Sequence, residues 1–496
     1  MIKPITSSIL LLCTGQATAA MWVDANDMSL RHHIQKLSDY NIITAPVTTY
    51  PLMWDAIDND LLRVERNSLP KDIEDSFSYV FHYYKQARYP KYSNQIALSG
   101  STEAPRLSGF GYRAREKANL TMSKEHVGDF WAAKISTQIR KPEDGSSEVT
   151  FDDSYIAAIY GNWIFRAGAI SQWWGPGWES SLIMSNNARP LPALSLSRSN
   201  SDAFETPLLS WIGPWTFTTQ MAKLESDRHV PNALLWSARS TFRPFSSLEI
   251  GASWSIQWGG DGQPNSAKDF FNAVTSQVEC SNGEEQCDPS LNTKLGNQLA
   301  GYDIRWHERL FDVPFSLYFQ MVGEDSANTQ PTDKAYVYGA DTTLNIAEMP
   351  VRIFVEYTDT EVACSGNPNS LNCYYEHGTY RTGYRYQGKS IGSTFDNDAN
   401  IVTIGIMGST EEMYHWSGKL RFGELNSDNI DVAPTSTIIG NTVSKVAEDL
   451  VELELTYQRP IFRGMLTIQT QISHSNFIDD SSDNDVNISA TWDYRY

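Results

Sequence analysis

The sequence predicts a mainly β fold, a large transmembrane antiparallel β-barrel with a small N-terminal helical bundle. Three observations predict it: a strictly alternating C-terminal strand, an aromatic content of 12%, and a mean hydropathy of −0.39. Beyond the N-terminus, no stretch approaches the run of about 18 apolar residues that a membrane-spanning helix needs. The composition of this 496-residue chain is therefore compatible with two classes of protein, a large secreted soluble protein and an outer-membrane barrel. The aromatic content favours the barrel, because girdles of aromatic residues mark both membrane interfaces of such barrels.

The first 20 residues have the pattern of a secretory signal peptide. Lys3 precedes a short apolar run from Ile9 to Leu12, and the small residues Ala17-Thr18-Ala19 follow. We expect cleavage close to Ala19 or Ala20. Lipidation at Cys13 is disfavoured because the preceding residue, Leu12, is bulky.

Residues 21–90 have helical rather than strand periodicity. Apolar residues keep helical spacing in three segments, which predicts three helices. The first follows a cap at Asp27 or Ser29, the second has Pro51 as its first residue, and the third starts near Ser68 and Pro70. We expect this bundle to pack at one end of the barrel or in its lumen.

His32 and His33 lie in the first of these helices. Adjacent helical residues point apart, so the pair is a poor metal site, and we interpret both as surface or cap residues. The sequence has no HExxH motif and no Gly-rich phosphate loop after a strand, and we expect no metal site and no cofactor.

Residues 91–496 are expected to form the barrel with long extracellular loops. From Val486 to the C-terminus, apolar and polar residues alternate without exception, as expected for a strand with one face toward lipid. Leu466–Ser473 and Val451–Gln458 alternate in the same way, with a short link between them and an acidic link before the last strand. Similar alternation recurs at Ile156–Ile170, Ala233–Phe242, Leu248–Trp258, Tyr302–Trp306, Phe315–Met321, Val351–Tyr357 and Ile401–Met407.

Four cysteines remain after signal-peptide removal, in two close pairs. Cys280 and Cys287 lie in one polar loop, and Cys364 and Cys373 lie in another. Proximity favours the disulfides Cys280–Cys287 and Cys364–Cys373, which an oxidising compartment would allow. Zinc is the alternative, but the spacings are wide and no paired histidines lie nearby.

The charge balance argues against a nucleic-acid partner. The chain has 59 acidic and 39 basic residues, for a net charge of −20. Catalysis has no positive support, since Asp152 and Asp153 are adjacent strand residues that face opposite ways. Glu376 and His377 have no nucleophile motif beside them, so a hydrogen-bonded histidine in a loop or in the lumen is the simpler interpretation.

The stretch QWWGPGWESSLIMSNNARPLPALSLSR, Gln172–Arg198, has three tryptophans around a Gly-Pro-Gly turn. Pro176 followed by Gly177 suits a type II turn with a positive φ at Gly177. Indole faces can stack on sugar rings, and amide and guanidinium groups can bind sugar hydroxyls or a carboxylate. The alternative is that the same residues pack as a girdle or lock a loop inside the lumen. The candidate sugar contacts are Trp173, Trp174, Trp178, Asn186, Asn187 and Arg189.

At these residues the sequence resembles the Wzi-type family of capsule-assembly outer-membrane proteins. The likeness is carried by Gln172–Arg198, by YEHGTYRTGYRYQGKSIGSTFDNDAN at Tyr375–Asn400, and by the helix pattern that ends ITAPVTTYPLMW at Ile43–Trp54. The resemblance implies about 18 strands, a helical bundle at the periplasmic end, and outer loops that close the top. It also implies a location in the Gram-negative outer membrane.

The function implied by the resemblance is that of a non-enzymatic lectin that anchors capsular or related exopolysaccharide. Its expected partners are this polysaccharide, outer-membrane lipid and lipopolysaccharide, and the barrel-assembly machinery during biogenesis. One alternative is a diffusion channel with a lumen lined by Glu452, Glu454, Asp493 and Arg495. A membrane enzyme acting on lipid or glycan is the other alternative, and no motif supports it.

Overall fold

Within the residues that the structure describes, the chain forms a closed antiparallel barrel of 18 strands and four α-helices. The computed structural model describes residues 20–66, 69–88, 92–111, 114–142, 146–274, 296–311, 313–324, 326–327, 330–331, 333–346, 349–364, 371–410, 414–430 and 440–495. Residues 1–19, nearly all of the predicted signal peptide, and the pair Cys280 and Cys287 lie outside these residues. None of the described helices is both long and apolar enough to cross a bilayer.

The barrel strands are numbered here in chain order. The first nine are β1 (Tyr92–Ser101), β2 (Ala118–Val127), β3 (Trp131–Lys141), β4 (Glu148–Thr150 and Tyr155–Tyr160), β5 (Trp163–Ala169), β6 (Pro192–Arg198), β7 (Trp215–Lys223), β8 (Leu234–Phe245) and β9 (Leu248–Trp258). The other nine are β10 (Asn297–Leu310), β11 (Val313–Glu324), β12 (Lys334–Ile346), β13 (Met349–Asp359), β14 (Asn400–Ser409), β15 (His415–Leu425), β16 (Glu448–Ile461), β17 (Gly464–Phe477) and β18 (Ser482–Arg495).

Each barrel strand pairs with its neighbours in sequence, and β18 closes the barrel on β1. In the closing pair, Arg495 lies opposite Gln95 and Ser489 lies opposite Ser101. The two segments of β4 both pair with β3, which makes them one interrupted strand. Closure leaves no unpaired edge, which a strand structure in lipid requires.

The two faces of the strands differ as period-two alternation predicts. On β16, Leu453 and Leu455 are exposed on the outer face, whereas Glu452 and Glu454 are buried on the inner face. The outer wall is therefore apolar and suited to lipid, and the charged side chains point into the lumen.

The connections also differ between the two ends of the barrel. Two-residue turns such as 246–247 and 462–463 lie at one end, here called the short-turn end. Longer connections, among them 170–191 and 360–399, lie at the other end, here called the long-loop end. The 16-residue connection 199–214 is an exception at the short-turn end; it contains a 3₁₀ turn at Ser210–Ile212.

Three helices precede the barrel: α1 (Met28–Asp39), α2 (Trp54–Arg63) and α3 (Lys71–Arg88). Asp27 caps α1 by accepting a hydrogen bond from the backbone N–H of Leu30 at 2.8 Å. Leu30, Ile34 and Leu37, the apolar residues with helical spacing in this segment, are buried. The second helix differs from the prediction, because it begins at Trp54 and Pro51 lies before the short strand Leu52–Met53.

Helix α1 lies inside the barrel. Its residues from Leu30 to Asp39 are all buried, and Asp39 forms ion pairs with Arg305 of β10 and Arg352 of β13. A fourth helix, α4 (Ala267–Val274), lies in the connection between β9 and β10.

The interpretation of His32 and His33 as surface or cap residues is wrong. Both are buried. His33 contacts the hydroxyl of Ser76 at 3.1 Å and that of Ser409 at 2.7 Å, and Nδ1 of His32 accepts from Nε of Arg352 at 3.2 Å. The physical reason is that α1 has protein on every side, so its polar face meets the barrel wall instead of water.

The predicted strand positions are confirmed, although several strands extend beyond the predicted runs, as Asn297–Leu310 does. The predicted run Ile156–Ile170 contains a hairpin, because a turn at Gly161 and Asn162 separates β4 from β5. The last strand begins at Ser482 rather than Val486, since the acidic link pairs as β-structure up to a four-residue turn at 478–481. Alternation alone missed this extension because both faces of it are polar.

Candidate functional site

Two long loops fold back into the barrel from the long-loop end. They are residues 170–191 and 371–399, here called the plug, and most of their side chains are buried. The Trp173–Trp174 strand pairs with Thr49–Tyr50 near α1, so the plug and the N-terminal region form one packed unit in the lumen.

The three tryptophans lie in the interior of this unit. Trp173, Trp174 and Trp178 are at most 1% exposed. The guanidinium of Arg31 lies over the Trp178 ring at 4.2 Å from its centroid and over Phe110 at 4.3 Å. Burial lowers the pKa of Arg31 to about 10, which leaves it charged at neutral pH, so this is a buried cation–π contact.

The Gly-Pro-Gly turn differs from the predicted type II geometry. The positive φ, +153°, is at Gly175 and not at Gly177. Gly177 is needed for a different reason, because a Cβ there would lie 2.3 Å from the carbonyl oxygen of Ser180. The turn is tight because the chain approaches itself closely at this point.

A carboxylate of the barrel wall holds the turn in place. Glu356, on the inner face of β13, accepts hydrogen bonds from the backbone N–H of Trp178 at 2.8 Å and of Ser180 at 2.6 Å. The hydroxyl of Tyr318 donates to the same carboxylate at 3.0 Å. Backbone donors of the plug are therefore satisfied by the wall, as buried polar groups require.

The predicted polar contacts are also engaged within the protein. Asn186 Nδ2 donates to the carbonyl oxygens of Ala25 and Gly111, both at 3.0 Å. Asn187 Nδ2 donates to the carbonyl oxygen of Ser390 at 2.9 Å. Arg189 forms a bidentate pair with Asp152, with both distances 2.9 Å.

The structure thus brings all six predicted site residues together, but as packing and hydrogen-bonding groups of the plug. Five of the six are buried, and the Arg189 side chain is 17% exposed. This arrangement is the loop-locking alternative, and sugar contact by these side chains stays a prediction.

Ion-pair networks that the sequence did not reveal anchor the plug. Arg385 forms a bidentate pair with Asp396, at 3.0 and 2.8 Å, and donates to Glu376 at 2.5 Å. Glu179 pairs with Arg421 at 2.8 Å and with Lys419 at 2.9 Å. One feature of the sequence could have indicated these networks: the alternation on β16 predicts that Glu452 and Glu454 face the lumen. Both residues pair with Arg421.

The two carboxylates beside Arg385 differ in their protonation. Burial raises the pKa of Glu376 to about 7, although Arg385 opposes this shift. Burial also acts to raise the pKa of Asp396, but the Arg385 guanidinium outweighs it and lowers this pKa. Asp396 is therefore the permanently charged partner, and Glu376 changes its charge near neutral pH.

The other residues considered in the sequence have structural partners. His377 Nδ1 accepts from the backbone N–H groups of Thr379 and Tyr380, both at 3.1 Å. The predicted disulfide Cys364–Cys373 is confirmed. Among the residues that the structure describes, no group of three or more His, Cys, Asp and Glu could hold a metal ion.

The outer surface of the plug ends in a small hairpin. Arg385–Tyr386 pairs with Lys389–Ser390, and Gln387 and Gly388 at the tip are exposed. Tyr386 is half-buried, whereas Arg385 at the base is fully buried in the ion-pair network. The hairpin therefore presents polar and aromatic groups on a rigid support at the long-loop end.

Comparison with known proteins gives a consistent result. The family described as "Capsule assembly protein Wzi" matches residues 87–489. The structure aligns with Escherichia coli Wzi at a TM-score of 0.80 and 26% identity, over 95% of this chain and 98% of that chain. That protein is described as an outer membrane protein involved in group 1 capsule assembly and as a carbohydrate-binding β-barrel.

Two further similarities are weaker or less informative. A 55.8 kDa protein from the cps region of Klebsiella pneumoniae is 27% identical over 490 residues, which cover 98% of this chain and 92% of that protein. OprD of Pseudomonas aeruginosa aligns over 82% of this chain and 94% of its own at a TM-score of 0.45 and 9% identity. The OprD similarity is too low to support an inference about this chain.

Proposed function

This chain belongs to the Wzi family of capsule assembly proteins, and from that membership we propose that it is a non-enzymatic lectin. It anchors capsular or related exopolysaccharide to the surface of the Gram-negative outer membrane, in which the barrel resides. The observation that carries the proposal is the plug. Since residues 170–191, residues 371–399 and α1 pack together inside the barrel, the outer surface of the loops is the place where a long polymer can be held.

The plug hairpin is the best-supported contact surface for the polymer. Gln387 supplies an amide that can both donate and accept, and Tyr386 supplies a partly exposed ring and a hydroxyl. A repeating polymer offers the same sugar many times, so weak contacts made by many copies of the protein add up to firm retention.

The six residues predicted to contact sugar have a different role in this proposal. The burial of five of them and the bidentate pair of Arg189 with Asp152 support a locking function, in which they hold the plug so that the hairpin is presented rigidly. Direct sugar contact by Trp178 and its neighbours would require the plug to open. Substitution of Trp178, treated in the Discussion, separates the two roles.

The experiment that tests anchoring is a measurement of polysaccharide retention. In a strain lacking this protein, cell-bound and released polymer are measured separately, and the strain is then complemented with wild-type protein, Tyr386→Ala or Tyr160→Ala. Tyr160 is the matched control, because it is 80% exposed at the opposite, short-turn end. We expect released polymer to rise in the deletion strain and to stay elevated with Tyr386→Ala alone.

An unchanged bound fraction in the deletion strain would contradict the anchoring role. Equal retention by the two tyrosine variants would leave anchoring intact but remove the hairpin as the contact surface. Detectable turnover of the polymer by the purified protein would contradict the non-enzymatic assignment.

A diffusion channel is the second candidate, and planar-bilayer conductance tests it. The lumen residues Glu452 and Glu454 face inward as a channel lining would, but both are paired with Arg421 under the plug. We expect no stable open channel. A steady conductance with the plug intact would support the channel and weaken the lectin proposal.

We also propose the partners that an outer-membrane barrel needs. The apolar outer face, with exposed residues such as Leu453 and Ile488, would contact outer-membrane lipid and lipopolysaccharide. The barrel-assembly machinery would insert the chain during biogenesis.

A further inference from the structure

The connection between β6 and β7 exposes a cluster of apolar side chains at the short-turn end of the barrel. This connection, 199–214, has 16 residues, whereas 246–247 and 462–463 at the same end are two-residue turns. Near its centre, Leu208 is 81% exposed, Trp211 is 64% exposed and Leu209 is 37% exposed. Exposed apolar groups that lie together indicate a surface that contacts another molecule. Residues 207–211 are here called the apolar tip.

The composition of the apolar tip suits lipid better than a protein partner. From residue 206 to residue 214 the sequence is TPLLSWIGP, without a charged side chain. The charged residues of the connection, Asp202 and Glu205, both precede this stretch. Protein interfaces surround their apolar centre with a polar rim, whereas Trp beside aliphatic residues is typical of a membrane–water interface, where the indole lies at the level of the headgroups.

The connection crosses from the lumen side to the outer face of the barrel. Thr216 faces the lumen beside its cross-strand partner Thr241, which is fully buried, so the adjacent Trp215 faces outward. The ring of Phe204 stacks on that of Trp215, with 4.7 Å between the centroids and 14° between the planes. The guanidinium of Arg198 also lies over the Trp215 ring, at 3.9 Å from its centroid. Phe204, in the middle of the connection, therefore lies against the outer wall.

An aromatic group continues from this point along the outer wall. Phe217 lies two residues after Trp215 and has the same outward orientation. Its ring contacts that of Trp163 on β5 edge to face, with 6.3 Å between the centroids. On the same two strands as Trp163 and Arg198, Phe165 and Leu194 are exposed on the outer face. Since an aromatic girdle marks each membrane interface of a barrel, and short turns face the periplasm, the apolar tip adjoins the periplasmic boundary of the lipid-facing wall.

Hydrogen bonds at the base of the connection hold the apolar tip in this position. The hydroxyl of Ser201 donates to the carbonyl oxygen of Ala56 in α2 at 2.8 Å. Arg198 donates to the carbonyl oxygens of Trp215 at 2.6 Å and of Asp202 at 2.8 Å. The connection is thus tied both to the helical bundle and to the barrel wall, so its exposed side chains are presented on an ordered base.

We propose that the apolar tip inserts into the periplasmic leaflet of the outer membrane and contacts its phospholipid. Leu208 and Leu209 lie among the acyl chains, and the Trp211 indole donates to the headgroups. This proposal rests on the location of the barrel in the outer membrane and on its proposed contact with lipid, and not on polymer anchoring. The extra contact on one side of the barrel would fix its depth and its orientation in the bilayer.

Spin-label accessibility in vesicles tests the proposal. The full-length protein is reconstituted in vesicles of phosphatidylethanolamine and phosphatidylglycerol, and a nitroxide is attached to Leu208→Cys. Oxygen reaches labels in lipid, and a water-soluble nickel(II) chelate reaches labels in water. Leu194→Cys, on the lipid-facing side of β6, is the lipid control, and Gln387→Cys, at the exposed tip of the plug hairpin, is the water control. Trp211→Cys is a second site in case Leu208→Cys does not fold, and unsubstituted protein taken through the labelling is the blank.

We expect the label at residue 208 to be accessible to oxygen and shielded from the nickel chelate, as at residue 194, with the reverse at residue 387. The proposal is overturned if the labels at residues 208 and 211 match that at residue 387, because the apolar tip would then lie in water, free for a periplasmic protein. That result leaves the outer-membrane location intact if residue 194 is in lipid. A label in water at residue 194 would contradict the location itself and this proposal with it. No polymer is present in the vesicles, so each outcome is independent of anchoring.

Discussion

Arg421, on the inner face of β15, donates from Nε to Oε1 of Glu179 in the plug at 2.8 Å. The two residues are 242 positions apart in the sequence, and both are fully buried. Arg421 also pairs with Glu452 and Glu454 of the adjacent strand. One guanidinium thus joins the plug to the barrel wall.

Substitution of Arg421 by Met should destabilise the plugged barrel strongly. Removing one partner of a buried ion pair leaves uncompensated charge, at a cost of about 3–5 kcal/mol. Here three carboxylates would lose the same cation, although Lys419 still contacts Glu179 and Glu454. The free energy of unfolding, measured by urea titration in detergent micelles, should fall by this amount.

Arg463→Met is the matched control for this prediction. Arg463 is exposed in the two-residue turn between β16 and β17, so its loss should change stability by less than about 0.5 kcal/mol. Equal stability of the two variants would show that the plug does not depend on the Arg421 network.

Trp178→Ala should lower stability rather than abolish polymer binding. The ring is fully buried between Arg31 and Phe354, and replacement of a buried Trp by Ala costs about 3–5 kcal/mol. Binding of the purified folded variant to the strain's own polymer should stay close to wild type if Trp178 locks the plug. The control variant is Trp211→Ala, which removes an indole that is 64% exposed and therefore not packed in the plug. Lost polymer binding with unchanged stability would instead establish Trp178 as a sugar contact.

The barrel could be predicted from the sequence because its strands repeat one simple pattern. Lipid on one side and a polar lumen on the other force alternation, so the inward positions of Glu452 and Glu454 could be read directly. The plug could not be predicted in this way. Stacking on a sugar and packing in a core require the same tryptophans, and no periodicity links Glu179 to Arg421.

The error at His32 and His33 has the same origin. Sequence patterns assume that the polar face of an amphipathic helix meets water. In this chain α1 is enclosed, and its polar face binds the polar inner wall of the barrel through contacts such as Asp39 with Arg352. Only tertiary structure distinguishes these two environments for the same helical pattern.

Glu376 should make the stability of the plug depend on pH near neutrality. Burial raises its pKa from the ordinary 4.5 to about 7, so the folded state favours the protonated carboxyl. The stability gained from this proton is complete below about pH 4.5 and is lost as the pH rises through about 7. The total loss is on the order of 3 kcal/mol.

Glu376→Gln removes this titration and is expected to flatten the stability profile between about pH 5 and about pH 8. The comparison variant is Asp396→Asn, because Asp396 pairs with the same Arg385 guanidinium as Glu376 does. Since Arg385 lowers the pKa of Asp396, that variant should be less stable than wild type across the same range. Its slope should move to lower pH, because the Asp396 charge helps to raise the pKa of Glu376. A wild-type profile with no slope in this range would contradict the assignment.

Loss of the disulfide Cys364–Cys373 should loosen the outer loop without unfolding the barrel. The bond closes a loop with a sequence separation of 9, and constraining a loop of this length contributes about 2–3 kcal/mol. Because the loop joins β13 to the plug, the double variant Cys364→Ser/Cys373→Ser should speed hydrogen exchange in residues 371–399. Exchange in the strand Glu448–Ile461 should be unaffected, since its backbone amides are hydrogen-bonded to the two adjacent strands, β15 and β17. If exchange rises equally in both regions, the disulfide stabilises the whole barrel; if it rises in neither, the Arg385 network alone holds the loop.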